Sequence, residues 1–344
     1  ESIDRSDKLE MLEAHAELTP EEIVNRIKVA GVTGMGGAGF PTFIKLCPPP
    51  GAKAECVIIN GVECEPYITA DYRLMMEHAD EILVGLNLLM KAAKVEKGYI
   101  GIEDNKPAAI KLFEEKTAND SRIEIVPLAK KYPQGGERSL IYAVTGRKIN
   151  SKMLPADAKC VVVNSSTCFA IYNALYENIP LIYRYMTITG DGVNQCNNFK
   201  VPIGCSHQYV IEKCGGLKED VVKVISGGPM TGFAMSTLEV PVQKTSASIL
   251  AFTEDDVASV EATNCIHCGR CVSVCPSNLV PQMLAKAVKQ SKFTAFADLG
   301  GMECVQCGCC SYTCPARIPL THLFNVGKAE VRKELNRQKS KEVK

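Results

Sequence analysis

The chain has 344 residues, which is enough for two or three domains with sizeable buried cores. Lysine plus arginine equals aspartate plus glutamate at 39 each, so the overall charge gives no argument for binding nucleic acid or an anionic membrane. The densest apolar run, residues 82–90, is much shorter than the roughly 18–20 residues that span a bilayer, and we expect a soluble chain.

The first predicted element is a helix that leads into a glycine-rich loop. Thr19, Pro20 and Glu22 form a capping-box pattern, and apolar residues at helical spacing follow them. The loop GMGGAG, residues 34–39, matches GxGxxG, but a dinucleotide fingerprint needs a strand before the glycines. Pro41 can open a further helix. Three interpretations stay open at this point: an ordinary Rossmann NAD site, a structural glycine turn and a different phosphate-binding loop.

Short apolar segments and longer periodic segments alternate after this loop. The predicted strands are residues 56–60, 98–103, 122–128 and 159–164. The predicted helices are residues 73–94, 106–118, 136–145 and 166–177. This alternation predicts an α/β, Rossmann-like domain with a parallel sheet and helices on both faces. Ligands of such domains collect at the edge where the strands end.

The pattern changes from about residue 184 to shorter apolar stretches with glycine turns. These stretches and one candidate helix near residues 207–214 predict a small α+β domain that ends near residue 243. We interpret GGPMTG, residues 227–232, as a structural turn rather than a ligand loop. The expected domains are therefore residues 1–183, 184–243 and 244–344.

The last domain contains two copies of the pattern CxxCxxCxxxCP, at residues 265–276 and 304–315. Seventeen cysteines without a secretion signal favour metal binding in a reducing compartment over a disulfide framework. In bacterial ferredoxins with this pattern, three cysteines hold one [4Fe–4S] cluster and the cysteine before proline ligates the other cluster. The predicted crossed ligand sets are Cys265, Cys268, Cys271 and Cys314 for one cluster, and Cys304, Cys307, Cys310 and Cys275 for the other.

Other interpretations of the cysteine region are weaker. Zinc needs four tetrahedral ligands, and a triple CxxCxxC followed by CP does not suit such a site. A helical pattern separates the two motifs, so we expect a helical two-cluster domain rather than a compact ferredoxin with hairpins. His267 lies inside the first motif, and we expect it near the cluster or in solvent rather than as a ligand. Cys309 is expected to be a spare thiol.

The glycine loop belongs to a longer signature. GMGGAGFPTFIKL, residues 34–46, resembles the flavin-binding loop of the NADH-oxidising subunit of respiratory complex I. NGVECEPYITADYR, residues 60–73, resembles the next signature of that subunit. The order of flavin-type α/β domain, SLBB (soluble-ligand-binding β-grasp) domain and helical two-cluster domain resembles the C subunits of Rnf electron-transport complexes over residues 10–335.

The resemblance implies FMN and two [4Fe–4S] clusters as cofactors and NADH as substrate. The positions that match the family's flavin-binding pattern are Gly34, Met35, Gly36, Gly37, Lys45, Asn60, Glu63, Tyr132, Gly135, Gly136, Glu137, Val163, Asn164 and Ser165. The glycine-loop backbone and Lys45 would hold the phosphate. By the same matching, Phe40 would stack on the nicotinamide and Glu65 would accept hydrogen bonds from NADH hydroxyls.

The sequence departs from the complex I pattern at two positions. Val62 stands where that family has an aspartate, and Ser165 stands where it has a second asparagine. The affinity for flavin and the flavin potential are therefore expected to differ from those of complex I. No catalytic side chain is expected, because the cofactors carry the chemistry.

The resemblance implies an electron-transfer subunit of an ion-translocating ferredoxin:NAD oxidoreductase, which belongs to the oxidoreductases. Its partners would be membrane-embedded subunits, with ferredoxin as an indirect partner and no nucleic acid, and the subunit would be peripheral on the cytoplasmic face. Two alternatives stay open: a soluble NADH-dependent protein that feeds a dedicated reductase such as proline reductase, and a ferredoxin-like adaptor without flavin. Binding of a soluble ligand such as a cobalamin by the SLBB domain would rest on fold analogy alone.

Overall fold

The computed structural model describes residues 18–48, 51, 53–255 and 259–342. These residues divide into two compact units. The first unit reaches to Pro229 and includes Phe233–Thr253, and the second contains Met230–Gly232 and the residues from Glu254 onward. Within the described part of the chain, no helix combines the length and the apolar character needed to cross a membrane.

The first unit contains a sheet of four parallel strands in the order β3-β2-β1-β4, as the sequence predicts. Its strands are β1 (Cys56–Gly61), β2 (Lys97–Glu103), β3 (Ile123–Leu128) and β4 (Cys160–Asn164). The chain adds β2 and β3 on one side of β1 and then crosses to place β4 on the other side. The strand order therefore reverses between β1 and β4, which is where open parallel sheets bind their ligands.

Seven helices accompany this sheet in the described residues. They are α1 (Pro20–Val29), α2 (Thr42–Lys45), α3 (Ala70–Glu77), α4 (Ala79–Ala93), α5 (Pro107–Thr117), α6 (Glu137–Thr145) and α7 (Ser165–Tyr176). The predicted capping box at Thr19 is present, and Pro41 directly precedes α2. The single helix predicted over residues 73–94 is wrong, because the chain leaves the helical conformation at His78. The ring of His78 packs there against Phe169, with 4.6 Å between centroids.

Helices cover both faces of the parallel sheet, as expected from strands that are apolar throughout. Val57 and Ile59 of β1 lie in one apolar cluster, to which α1, α4, α5 and α7 contribute. Ile58 lies in a second cluster with Leu140 and Ile141 of α6. Successive side chains of a strand point to opposite faces, so one strand supplies both clusters.

A second, mixed sheet in the same unit has the order β6-β5-β9-β7-β8. Its strands are β5 (Tyr183–Thr189), β6 (Asn197–Pro202), β7 (Lys223–Ser226), β8 (Phe233–Ala234) and β9 (Ser248–Phe252), with α8 (His207–Lys213) beside them. The predicted α+β character is confirmed. β9 follows the expected boundary at residue 243 and pairs with both β5 and β7, so this sheet extends to Phe252.

The second unit is built from helices. They are α9 (Arg270–Ser273), α10 (Pro281–Lys289), α11 (Phe293–Asp298), α12 (Cys309–Tyr312) and α13 (Leu320–Glu342). Leu284, Phe296 and Phe324 are almost fully buried at the centre of its apolar cluster. The expected helical character of the cysteine-containing domain is therefore confirmed.

Candidate functional site

Two asparagines mark the ends of β1 and β4, where the strand order reverses. Asn60 and Asn164 are register partners in the parallel ladder. The Asn60 side chain donates to the Gly135 carbonyl (2.9 Å) and accepts from the Val62 amide (3.1 Å). Asn164 caps α7 by accepting from the Ser166 amide (2.9 Å). The sheet thus brings two predicted flavin residues side by side and ties one of them to the loop before α6.

The glycine loop lies against one of these strand ends. A Cβ on Gly36 would lie 3.1 Å from the Asn164 side chain, whereas a Cβ on Gly37 would meet no atom within 4 Å. Glycine at position 36 therefore permits the close approach of the loop to Asn164. The space beside Gly37 is open, and a larger residue at this position would occupy it.

Only part of the loop backbone stays available to a ligand. The Gly34 amide donates to the Phe40 carbonyl (2.8 Å), and the Met35 amide donates to the Thr167 hydroxyl (2.9 Å). Within the described ranges, the amides of Gly36 and Gly37 have no hydrogen-bond acceptor. Unpaired N–H groups in a glycine loop form the kind of concave site that binds anions. Of the four loop residues predicted to contact the phosphate, Gly36 and Gly37 are therefore the two whose amides are free to donate to it.

Lys45 and Glu137, which lie far apart in the sequence, form an ion pair. Nζ of Lys45 lies 3.3 Å from Oε1 of Glu137 and donates to the Val162 carbonyl of β4 (2.9 Å). Glu137 begins α6, and Gly136 is the residue that precedes it. The predicted phosphate-binding lysine is therefore held at the strand ends and is still partly exposed, at 23% of its side chain.

Glu63 has a structural role that the sequence does not reveal. Its two carboxylate oxygens accept from the amides of Asp71 (2.8 Å) and Tyr72 (3.2 Å), the second and third residues of α3. Burial, and secondly the negative charge of Asp71, raise the pKa of Glu63 to about 7. A carboxylate at this place satisfies amides that a helix start leaves without partners. Contact between Glu63 and flavin stays a prediction.

The remaining predicted flavin residues lie in two segments. Gly135 must be glycine, because a Cβ there would lie 2.7 Å from the Val62 carbonyl oxygen. Tyr132 precedes it in the same loop and is half-buried. Val163 is buried within the sheet core, so its backbone is the part that can face a ligand. Ser165 is fully buried, and its hydroxyl has no hydrogen-bond partner in the described structure.

Sequence reasoning missed three polar residues that support this edge. Asp71 accepts from the side-chain amide of Asn164 (2.7 Å) and from the hydroxyl of Ser166. Thr167 holds the Met35 amide, and Arg184 of β5 donates to the Met35 carbonyl (3.2 Å). Asp71 lies inside the signature at residues 60–73, which was the available signal for it. Arg184 comes from the second sheet, and no local pattern marks it.

The two residues predicted to contact NADH have different surroundings. The Phe40 side chain is 48% exposed, as an aromatic platform for a ligand would be. The Glu65 carboxylate packs on Gly228, where a Cβ would lie 2.3 Å from Oε2. The segment GGPMTG, which we interpret from the sequence as a structural turn, therefore also limits the space around the Glu65 side chain.

The two cysteine motifs share one backbone conformation. Positive φ angles occur in His267 (55°) and Gln306 (58°), and in Gly269 (75°) and Gly308 (83°). These are equivalent positions at the 39-residue offset of the repeat, and α9 and α12 are equivalent as well. Non-glycine residues seldom adopt positive φ, so the same conformation at matched positions shows that the repeat is structural. His267 is exposed, in agreement with a role other than that of a ligand.

Cysteines of both motifs meet around one cavity. Its lining includes Cys275 of the first motif together with Cys304, Cys307, Cys309 and Cys310 of the second. Burial raises the pKa of Cys304, and the nearby thiols of Cys307 and Cys275 raise it further. This is the arrangement that the second crossed ligand set needs.

The other ligand set shows the same mixing of motifs. Burial raises the pKa of Cys271, and the nearby thiols of Cys265 and Cys314 raise it further. Cys268 is exposed, as is Cys265. Cys309, expected to be spare, lies beside Cys307, and burial raises its pKa to about 12.

In the part of the chain that the structure describes, no three His, Cys, Asp or Glu side chains are placed to hold one metal ion. A tetrahedral zinc site needs its sulfur ligands within about 2.3 Å of the same ion. The repeated pattern CxxCxxCxxxCP supplies eight cysteines in the arrangement that two [4Fe–4S] clusters use, so the donor set fits such clusters better than zinc.

Comparison with known domain families agrees with this geometry. Residues 27–173 match the Nuo51 FMN-binding domain, residues 185–234 match the SLBB domain, and residues 258–318 match the 4Fe-4S dicluster domain. The expected cofactors, FMN and two [4Fe–4S] clusters, are therefore confirmed.

Curated relatives identify the family. The C subunit of the Na(+)-translocating ferredoxin:NAD(+) oxidoreductase complex of Acetobacterium woodii is 44% identical over 315 residues, which cover 92% of this chain and 71% of the relative. The chain belongs to this family of Rnf C subunits. The C subunit of the proton-translocating complex of Clostridium ljungdahlii is 48% identical over 78% of this chain and 59% of the relative. The chain thus spans roughly 60–70% of the length of these two Rnf C subunits.

The fold also has a distant counterpart among solved structures. The crystal structure of an NAD+-reducing [NiFe]-hydrogenase in the air-oxidized state superposes with a TM-score of 0.64 at 22% identity. The match covers 80% of this chain and 54% of the hydrogenase chain. At this identity the match supports the fold alone.

The described residues fit a phosphate-bearing flavin. The free amides of Gly36 and Gly37, the open space beside Gly37 and the unpartnered hydroxyl of Ser165 all occur in the predicted segments. The Ser165 hydroxyl is one of several buried hydroxyls without a partner in the described residues, and it is the one that lies at a predicted flavin position.

Proposed function

We propose that this chain is the NAD-facing electron-transfer subunit of an Rnf-type ferredoxin:NAD oxidoreductase. It exchanges a hydride with the nicotinamide and passes single electrons through two [4Fe–4S] clusters. The relatives named above are subunits of ferredoxin:NAD(+) oxidoreductase complexes, which supports this assignment.

One observation carries the proposal. The glycine loop rests on Asn164, and Asn164 pairs in register with Asn60 at the point where the strand order reverses. Parallel sheets bind nucleotides at this point, because helix starts and loop amides meet there. The free amides of Gly36 and Gly37 at this point leave the loop able to donate hydrogen bonds to a phosphate.

Each group of residues then has a separate task. The amides of Gly36 and Gly37 and the ammonium of Lys45 bind the phosphate, while Asn60 and the loop at Gly135 position the ring system. Phe40 and Glu65 bind the nicotinamide nucleotide. The FMN that these residues would hold would supply the conversion between two-electron hydride transfer and single-electron transfer.

The second unit provides the path for single electrons. Cys265, Cys268, Cys271 and Cys314 hold one cluster, and Cys304, Cys307, Cys310 and Cys275 hold the other. The mixed neighbourhoods of Cys271 and Cys304 support this crossed assignment. Crossing makes each cluster depend on both motifs.

The wider setting of the proposal rests on the resemblance to Rnf C subunits and on the coupling ions in the relatives' names. The chain docks as a peripheral subunit on the cytoplasmic face of the membrane, where it contacts membrane-embedded subunits and exchanges electrons indirectly with ferredoxin. The complex couples this transfer to movement of Na⁺ or H⁺, since the two relatives are named for one ion each.

The test is purification under anaerobic conditions with intact clusters, followed by absorbance spectra before and after NADH is added. We expect bound flavin, about eight irons per chain and bleaching of the flavin band by NADH. Bound flavin that NADH does not reduce would contradict the NAD assignment. Loss of all flavin with intact clusters would favour the adaptor instead.

A further inference from the structure

Arg184 is a buried cation from the second sheet that reaches the glycine loop. It lies in β5 and is 3% exposed. Its Nε donates to the Ser246 carbonyl (2.9 Å), and one terminal nitrogen donates to the Met35 carbonyl (3.2 Å). The other terminal nitrogen has no hydrogen-bond partner among the described residues. The guanidinium thus ends behind the loop with an unused donor.

The positive charge of Arg184 lacks a direct counterion in the described structure. No carboxylate lies within ion-pair distance of it, and Asp71, the acidic group that favours its charge, is engaged with Asn164 and Ser166. Burial lowers the pKa of Arg184 to about 10, so the group stays charged at neutral pH. A buried, unpaired charge is costly unless an opposite charge compensates it.

The hydrogen bond to Met35 also orients the loop. In a trans peptide the carbonyl and the following N–H point in opposite directions. The Met35 carbonyl faces Arg184, so the Gly36 amide faces away from it, toward the side left without a protein acceptor. The same contact therefore anchors the loop and sets the direction of one of its two free amides.

We propose that Arg184 is a positioning residue that presets the glycine loop and supplies the buried positive charge that balances the phosphate of the flavin. The inference rests on the proposed function and extends it, because the second sheet of the first unit then contributes to cofactor binding. Lys45 would act from the strand ends and Arg184 from behind the loop. Two cations suit a phosphate group that carries close to two negative charges.

The experiment compares two substitutions of Arg184 with a matched control. Arg184→Lys keeps the charge, and Arg184→Gln keeps a donor for the Met35 carbonyl but removes the charge. Lys244→Met removes another cation of the first unit, whose Nζ donates to the Gly31 carbonyl (2.5 Å) just before the loop. FMN affinity is measured by fluorescence quenching on flavin-depleted protein with intact clusters, with iron content and thermal unfolding as checks of the fold.

We expect Arg184→Gln to weaken FMN binding by about tenfold or more, and Arg184→Lys and Lys244→Met to stay within about threefold of wild type. Riboflavin, which lacks the phosphate, should lose less affinity than FMN in Arg184→Gln. Wild-type affinity in Arg184→Gln, or equal weakening by glutamine and lysine, would overturn the proposal. Equal loss of FMN and riboflavin would reduce Arg184 to a structural role. If the wild-type chain binds no FMN, the proposed function itself fails.

Discussion

The two cofactor regions obtain their geometry in different ways. The flavin region collects segments that are more than 100 residues apart, such as Met35 and Thr167, and protein hydrogen bonds hold them together. The cluster region uses two copies of one short motif with one backbone conformation. The first arrangement therefore depends on the whole parallel sheet, and the second depends on local spacing.

The cores of the two regions differ as well. In the α/β domain the apolar clusters are made mainly of aliphatic side chains and lie beneath the strand ends. In the second unit Cys310 belongs to the apolar cluster, and Cys271, Cys275 and Cys304 pack against it. The first unit can therefore fold before it binds its cofactor, whereas the clusters form part of the core of the second unit. Metal binding then becomes part of the folding free energy.

Removal of iron should produce the largest effect. Anaerobic chelation should unfold much of the second unit, because the cysteines would lose the bonds that join the two motifs. Hydrogen–deuterium exchange should speed up by about 100-fold or more in α10 and α13, while α4 in the first unit keeps its protection. Unchanged protection of α10 after iron loss would show that the helical core is stable without clusters.

The sequence predicted the two regions for different reasons and to different extents. The repeat of cysteines at a 39-residue offset could be recognised in the sequence because cluster ligation fixes the spacing of the ligands. The parallel strands could be predicted because they are apolar throughout. The supporting contacts of Asp71, Thr167 and Arg184 could not be predicted, since they form only when segments that are distant in the sequence meet in the fold. The pairing of β9 with β5 could not be predicted either, because the two strands are also far apart in the sequence.

The local errors have local causes. The break at His78 was missed because a continuous helical pattern runs through it, and tertiary packing on Phe169 decides the conformation there. The contact of four glycine-loop residues with the phosphate stays a prediction, and the structure adds that internal hydrogen bonds occupy the amides of Gly34 and Met35. Sequence similarity identifies which residues line a site, whereas available donors can be counted only in a structure.

Crossed ligation predicts that each cluster of the second unit depends on cysteines of both motifs. Cys314→Ser should perturb the cluster that the first motif anchors, although the residue lies 43 positions after Cys271, the last ligand that this motif supplies to that cluster. EPR of the reduced variant is compared with Cys268→Ser and Cys307→Ser as references for the two clusters. The control Cys309→Ser should leave both signals intact. A Cys314→Ser spectrum that reproduces that of Cys307→Ser would show that each motif closes on its own cluster.

Flavin loss should leave the second unit intact, in contrast to the effect of iron loss. Gly37→Val fills the open space beside the loop and Lys45→Ala removes a cation, so the double variant should lose about tenfold or more of its FMN affinity. Iron content should stay close to that of wild type. Flavin and iron are measured per chain in the same preparation, and parallel loss of both would contradict the independence of the two units.

A smaller effect is expected at the nicotinamide subsite. Glu65→Gln should raise KM for NADH by roughly tenfold while FMN stays bound, because a hydrogen bond to a charged group contributes about 1.5–3 kcal/mol. Asp104→Asn serves as control, since that carboxylate accepts instead from the Lys130 amide (3.1 Å). Steady-state kinetics with NADH and NADPH provide the measurement. Unchanged KM in Glu65→Gln would remove this residue from the subsite.

The smallest effect concerns the pH dependence of the flavin region. The pKa of Glu63 rises from 4.5 to about 7, mainly through burial, so the folded state keeps a proton that the unfolded state releases. The stabilisation from this proton is complete below about pH 4.5 and is lost as the pH rises to about 7. Glu63→Gln removes the titration, and the Tm of the variant relative to wild type should increase from pH 5 to pH 8.

The size of this change should be on the order of 1–2 kcal/mol, or a few degrees in Tm. Calorimetry of the holoprotein at several pH values measures it, and taking the difference from wild type cancels the pH dependence of the clusters. Glu219→Gln, at an exposed position, should show no such trend. A Glu63→Gln difference that is flat with pH would mean that the carboxylate beneath α3 is already ionised at pH 5. Glu63 would then be unprotonated beside Asp71 over this pH range, and the flavin region would lack this source of pH dependence.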